Sequence, residues 1–390
     1  MMQKVIVTEK LPIKLWLDDI EAGALEQARN LANLPFLFQH VAVMPDVHQG
    51  YGMPIGGVIA SDEVVIPNAV GVDIGCGMCA VRTSLTTIST EQLKQVLAEV
   101  RRKVPLGFEH HKKKQDPRLM PKAEGLLEDL PVVAREYQAA LTQLGSLGGG
   151  NHFIEIQKGD DQRIWLMVHS GSRNLGFKVA NYYNHLAMNL NRQWGSRIPT
   201  AWQLAFLPLT GPEAQAYLCE MRYCVDFAFA NRKIMMERVK DALLSVAAPV
   251  FFEPMINIAH NYAALEFHFG KHVLVHRKGA TSARAGETGI VPGSQGSPSY
   301  IVKGKGNPES FASCAHGAGR KMGRKQAQRQ LDLGQEKKRL DDQGILHGIR
   351  SAKDLDEAAG AYKDIDEVVE NQLDLVEVLV ALHPLAVIKG

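Results

Sequence analysis

The sequence predicts an α+β fold. It reads as one large domain over residues 1–390, with mixed β-sheets, flanking helices and a helical insertion at about 175–250. Three observations carry this expectation. Short β-rich pieces and amphipathic stretches are mixed, without the regular alternation that marks a parallel α/β sheet. No internal repeat, low-complexity tract or linker-like segment divides the chain. The 390 residues, 45% hydrophobic and 22% charged, are enough to bury a large core.

The β-rich pieces are VAVMPDV, GGVIASDEVVIPNAVGV, HFIEIQ, RIWLMVHS, FGKHVLVHRK and SYIVKG. Between them, residues 18–33 read as a helix, with Asp18 and Asp19 favouring its start. Ser89 and Gln92 have capping-box spacing ahead of the amphipathic LKQVLAEVRRKV. Residues 124–144 read as helical and end at the glycine-rich stretch Gly145–Gly150. A long helix is expected after Thr210, where Thr210 and Glu213 repeat the capping-box spacing and Pro212 suits the first turn. A last helix is expected at about 363–382. Residues 105–123, rich in Lys, His and Pro, read as a mobile loop.

Composition narrows the function classes. Forty-four Lys and Arg against 42 Asp and Glu leave a net charge of +2, which excludes a polybasic protein but not a local basic surface. Five cysteines do not form a disulfide framework and fit a reducing, cytoplasmic setting. The N-terminus MMQKVIVTEKLPIKLWL lacks the uninterrupted apolar core of a signal peptide. No stretch is apolar for long enough to span a bilayer, so no membrane partner is expected.

The chemistry-bearing residues stand beside small or glycine-rich sequence. Asp73 and Cys76 share GVDIGCGM, where Gly75 and Gly77 permit a tight turn that aims both side chains into one site. His152 opens HFIEIQ, His169 ends the apolar run IWLMV, and His260 ends MINIA. A thiolate, a carboxylate and three imidazoles suit a transition metal, although each alone also fits a satisfied structural residue. Cys79 completes C-x-x-C, but no second C-x-x-C supports a zinc ribbon. The loop after His169, Ser-Gly-Ser-Arg, offers hydroxyls, backbone N–H groups and Arg173 to a phosphate. If HFIEIQ is a strand, His152, Ile154 and Ile156 share one face, with Phe153 and Glu155 opposite. His316, in CAHGAGR among small residues, could serve as ligand, base or nucleophile, and spacing does not choose among them. Neither a P-loop nor G-x-G-x-x-G occurs. The basic runs at 101–103, 110–114 and 324–330 fit either solvated faces or a nucleic-acid track.

Taken together and in order, MPDVHQGYG, GVDIGCGM, GNHFIEI, HSGSR, AHNY, RKGA, PGS, CAHGAGR, AYKDID and the closing Lys-Gly closely resemble the RtcB-type RNA ligases. The resemblance spans nearly the whole chain. It implies two manganese ions bridged by Cys76, with Asp73 and His152 completing one site and His169 and His260 the other. It implies that His316 is a nucleophile that takes GMP from GTP. The guanylate would be lined by Asn151, Phe153, Glu155, Ser294, Ser299, Ala318, Gly319, Tyr362 and Lys389, with Glu155 and Lys389 at the guanine. Arg173 would hold an RNA phosphate, and Asp46 and His48 would lie near the metals.

The implied activity joins RNA ends bearing a 3′-phosphate or 2′,3′-cyclic phosphate to 5′-hydroxyl ends, in tRNA splicing or RNA repair, with an archease-like activator as a further partner. Asn174 departs from the family pattern, where a glycine is expected after HSGSR. Two other classes compete with this reading: a metal-dependent phosphoesterase acting on RNA ends, and a non-catalytic RNA-binding protein that keeps the metal site for stability.

Overall fold

The computed structural model describes every residue except Glu124, and it is built around two β-sheets. The first has six strands in the order Lys4–Ile6, Ile13–Leu15, Leu37–His48, Ile55–Ser61, Lys271–Lys278 and Asn261–His268. The second has seven, in the order Ile256–Ala259, Gly77–Arg82, Ile164–Ser170, Phe153–Gly159, Val376–Lys389, Ser299–Gly304 and Thr288–Val291. The fold is thus α+β, as the mixed pattern predicts.

Strand alternation sorts the seven-stranded sheet into two apolar faces. Cys79, Val81, Ile154, Ile156, Leu166, Val168 and Ile388 pack against Val96, Met235, Met236 and Val239 of the helices Thr90–Lys103 and Pro212–Leu244. Met78, Ala80, Trp165, Met167 and Val387 point the other way, onto Leu340, Ile345 and Leu355. The predicted helical segment forms Arg173–Gln193 and Pro212–Leu244, which pack on each other and on Pro131–Gln143 around Tyr183, Tyr217 and Phe227.

The capping box at Ser89 forms: its side chain accepts from Gln92 N, and Gln92 Oε1 accepts from Ser89 N. Other boundaries differ from expectation. The first helix runs Ala22–Ala32 from an N-cap at Glu21, so Asp18 and Asp19 precede it rather than cap it. The long helix is capped at Gly211 with Pro212 in its first turn, and Thr210 makes no capping bond. The helix expected at 124–144 runs Pro131–Gln143, after a 3-10 turn Leu127–Asp129, while Glu124 lies outside the described residues.

The helix expected at 363–382 is largely a correction. Only Ile365–Glu370 is helical, and the chain then becomes the strand Val376–Lys389. Pro384 would break a helix there, whereas the ladder takes it at a bulge between Pro384 and Ala386.

Candidate active site

Register brings the candidate residues together at one end of the seven-stranded sheet. Gly77 pairs with Ser170 and Ala259, and Phe153 pairs with His169 and Lys389. Cys76, His152 and His260 are the next residues beyond those paired ends, so all fall on the same edge. His260 is also where the chain leaves the seven-stranded sheet at Ala259 and joins the six-stranded sheet at Asn261. The site therefore occupies the junction of the two sheets, in a cavity of about 1040 Å³.

The Asp73–Cys76 turn closes with Cys76 N donating to Asp73 O at 3.1 Å. Gly75 has φ +73°, and a Cβ there would lie 2.8 Å from Val225 Cα of the long helix. Only glycine fits that turn against that helix. The buried Arg232 holds the turn from behind, donating to Gly75 O and Ser170 O at 2.8 Å each.

The side chains converge on Cys76 Sγ. His169 Nε2 lies 3.3 Å from it and His152 Nε2 3.4 Å, and His152 Nε2 is also 3.1 Å from Asp73 Oδ2. Two groups could each hold a cation: Asp73, Cys76 and His152, and Cys76, His169 and His260, with ligand atoms in each group within 4.8 Å of one another. They share the Cys76 sulfur. Second contacts orient the rings, because His152 Nδ1 donates to Leu147 O and His169 Nδ1 to Asn151 O, which turns each Nε2 toward the cluster. His260 Nδ1 is buried without a hydrogen-bond partner.

Electrostatics point the same way. Burial, then the charges of neighbouring imidazoles, keeps His169 and His260 well below the ordinary histidine range, so both are neutral donors. Burial raises Asp73, but the hydrogen bond and charge of His152 bring it below the usual carboxylate value. Burial and the Asp73 carboxylate push the Cys76 thiol far up. A divalent cation reverses that balance by stabilising the thiolate. The donor set fits a soft or borderline transition metal. Cys79, by contrast, lies in the apolar face beneath the helices with its thiol toward Arg232 O, apart from the cluster.

His316 lines the cavity beside the cluster, its ring packed edge-on against that of His260 with centroids 4.8 Å apart. It follows the strand Ser313–Ala315, which packs with Phe311 and Ala318 into the core under the six-stranded sheet. Its Nδ1 lies 2.6 Å from Asp46 Oδ2, an oxygen that also accepts from the backbone N–H of His316 and Gly317. Asp46 is fully buried, so this contact fixes the ring and leaves Nε2 as the exposed nitrogen. His48 lines the cavity nearby, and burial lowers it to about 4.

A second part of the cavity is lined by Asn151, Phe153, Glu155, Ser294, Ala318, Gly319, Tyr362 and Lys389. Lys389 Nζ lies over the Phe153 ring, 5.4 Å from its centroid. Burial raises Glu155 to about 8, opposed by the charge of Lys389, and burial lowers Lys389. Ser299 is buried behind this wall, its Oγ accepting from Gln157 Nε2 and Gly293 N. Arg173, at φ +59°, lies behind Gly148 and donates to Ser146 Oγ and Gly107 O, each at 3.2 Å. The next residue, Asn174, donates its backbone N–H to Gln143 Oε1.

Sequence reasoning missed several cavity residues. Lys278 donates to Tyr51 O and Asn68 O, and burial lowers it to about 7; its signal was present in the RKGA motif. Glu357 carried no signal. It is buried between Arg320 and Arg324 and accepts from Tyr362 Oη.

Residues 27–129 and 121–390 match the family described as tRNA-splicing ligase RtcB. The chain belongs to the RtcB family. It is 39% identical over 419 residues to the RNA-splicing ligase RtcB of Escherichia coli K12, covering 99% of each chain. It is 34% identical over 438 residues to the tRNA-splicing ligase RtcB of Thermococcus kodakarensis, covering 94% of this chain and 91% of that one. No helix among the described residues is long and apolar enough to cross a membrane.

Proposed function

We propose that this RtcB-family chain is a GTP-dependent RNA ligase acting as a single catalytic domain over residues 1–390. It joins RNA 3′-phosphate or 2′,3′-cyclic phosphate ends to 5′-hydroxyl ends, in cytoplasmic tRNA splicing or RNA repair. The observation that carries this reading is one cavity holding both the Cys76-centred cluster and a histidine, His316, oriented by a buried carboxylate. The similar chains named as RNA-splicing ligases support the substrate class.

Asp73, Cys76, His152, His169 and His260 would hold two manganese ions. When bound, these would neutralise the triphosphate and stabilise charge on attacking and leaving oxygens.

His316 Nε2 attacks the α-phosphorus of GTP; a P–N bond forms, the α–β anhydride breaks and pyrophosphate leaves. Asp46 stabilises the positive charge that the ring gains. An RNA 3′-phosphate oxygen then takes GMP from His316, and the 5′-hydroxyl of the second strand attacks that activated phosphate, releasing GMP. A cyclic phosphate is first hydrolysed in the same cavity, water adding to phosphorus and the P–O2′ bond breaking to leave the 3′-phosphate and a free 2′-hydroxyl. Glu155 and Lys389 read the guanine, within a pocket that also includes Asn151, Phe153, Ser294, Ala318, Gly319 and Tyr362, with Ser299 buried behind its wall. Arg173 serves an RNA phosphate, and an archease-like protein serves as activator.

Incubation with α-labelled GTP and manganese tests the proposal. A ligase acquires acid-labile, base-stable label, and His316→Ala removes it while retaining metal. Absence of label on the unaltered protein would leave a phosphoesterase or an RNA-binding protein instead.

A further inference from the structure

Outside the cavity, one feature has no role in the proposed chemistry. Phe108 is 96% exposed, more than any other large hydrophobic residue among those described, and it stands just before the basic run at 110–114. A single exposed apolar side chain is ordinary. Two further observations give this one a direction.

The backbone beside it is fastened to the site. Gly107 N donates to Gly148 O at 3.1 Å, and Gly107 O accepts from Arg173 Nη2 at 3.2 Å. A Cβ on Gly149, a cavity-lining residue, would lie 3.7 Å from Gly107 Cα. Phe108 therefore stands in solvent at the rim of the cavity, next to the residue held by Arg173.

The basic run is also held in place. His111 N donates to Thr142 O and Gln115 N to Leu141 O, each at 2.9 Å, which ties the run to the helix Pro131–Gln143. Lys112 and Lys113 are exposed, and neither has a carboxylate within salt-bridge distance among the described residues. An aromatic face followed by an anchored row of ammonium groups matches single-stranded nucleic acid, which offers a base to stack and phosphates to pair. A protein partner would be better served by an apolar patch, and the residues after Phe108 are polar.

We infer that Phe108, Lys112 and Lys113 form a subsite for the single-stranded RNA arm beside the reacting end. A nucleobase stacks on the Phe108 ring and the adjoining phosphates follow the two lysines. The inference rests on the RNA-ligase reading and deepens it, because it specifies which part of the RNA is gripped and by what.

The test uses the full chain with manganese and a short unstructured RNA ending in a 3′-phosphate, with binding followed by fluorescence anisotropy. Phe108→Ala is expected to weaken binding about tenfold, with Phe108→Trp restoring it. The double variant Lys112→Ala/Lys113→Ala should reduce the dependence of log K on log salt by about 0.7 for each phosphate that no longer meets an ammonium group. Labelling by GTP needs no RNA and is measured on the same preparations. If the unaltered protein neither takes label nor joins RNA, the functional reading fails. If it does both, yet Phe108→Ala binds RNA with unaltered affinity, the subsite is overturned, including the case where Phe108 serves a protein partner. A loss of labelling in Phe108→Ala that Trp does not rescue would also overturn it, by showing a prop for the loop.

Discussion

Asp46 Oδ2 and His316 Nδ1 lie 2.6 Å apart, with the carboxylate fully buried near the end of a strand and the imidazole lining the cavity in front of it. The same oxygen receives two backbone N–H groups from the His316 loop. Position and charge are therefore imposed by a single group. Asp46→Asn keeps the shape but removes the charge, and its amide cannot serve all three donors equally. Guanylylation is expected to fall about 10²-fold with metal content unchanged. Single-turnover labelling with GTP measures this, and a rate equal to that of the unaltered protein would remove Asp46 from the mechanism.

Cys76→Ala removes a sulfur common to both candidate cation groups, whereas His260→Ala removes a donor from one. Purified Cys76→Ala should lose more manganese than His260→Ala, as measured by elemental analysis. Cys79→Ser should keep both ions, because that thiol lies in the apolar face beneath the helices. Equal retention in Cys76→Ala and the unaltered chain would sink the shared-ligand assignment.

Lys389→Ala tests nucleotide choice. The ammonium lies over Phe153 in the cavity and can donate to a base carbonyl that adenine lacks. The variant should guanylylate more weakly, and its preference for GTP over ATP should narrow by about tenfold or more, with metals retained. Competition labelling with the two nucleotides decides it. Unaltered preference would mean that the lysine does not read the base.

Glu155 gives a pH signature. Burial raises its folded-state value to about 8 from the ordinary 4.5. Between those values the unfolded chain releases a proton that the folded chain keeps. This group therefore favours folding most below pH 4.5, and its contribution declines as pH rises to about 8. Glu155→Gln should flatten the stability profile across that window by on the order of a few kcal/mol. Urea unfolding at a series of pH values provides the measurement, and identical slopes for the two proteins would contradict the assignment.

Much of the site was legible because its residues sit at strand ends, where an apolar run stops at a polar side chain. The alternation in HFIEIQ separated Ile154 and Ile156, which face the helices, from Phe153 and Glu155, which line the cavity, but it did not extend to His152, which precedes the strand and lines the cavity as well. The strand at 376–389 was not legible. Its Val, Leu and Ala content serves a helix as well as a strand, and its conformation is decided by partners more than 70 residues away in the chain, Phe153–Gly159 and Ser299–Gly304. Glu357 was invisible for a related reason. One acid among the three of Asp354, Asp356 and Glu357 gives no sign that Arg320 and Arg324 will enclose it rather than its neighbours.

The placement of that last strand has a consequence for biosynthesis. Val376–Lys389 lies between two strands made much earlier, so until it emerges from the ribosome the seven-stranded sheet exists as two separate pieces. Each piece then presents an unpaired edge, Phe153–Gly159 on one and Ser299–Gly304 on the other, during the interval when nascent chains are most prone to mispairing. Completion of the sheet and delivery of Lys389 to the cavity are one event. A nascent or truncated chain lacking residues 376–389 would therefore lack part of the cavity wall and keep both sheet edges unpaired, and arrested synthesis near the 3′ end of the message should yield aggregates rather than soluble protein.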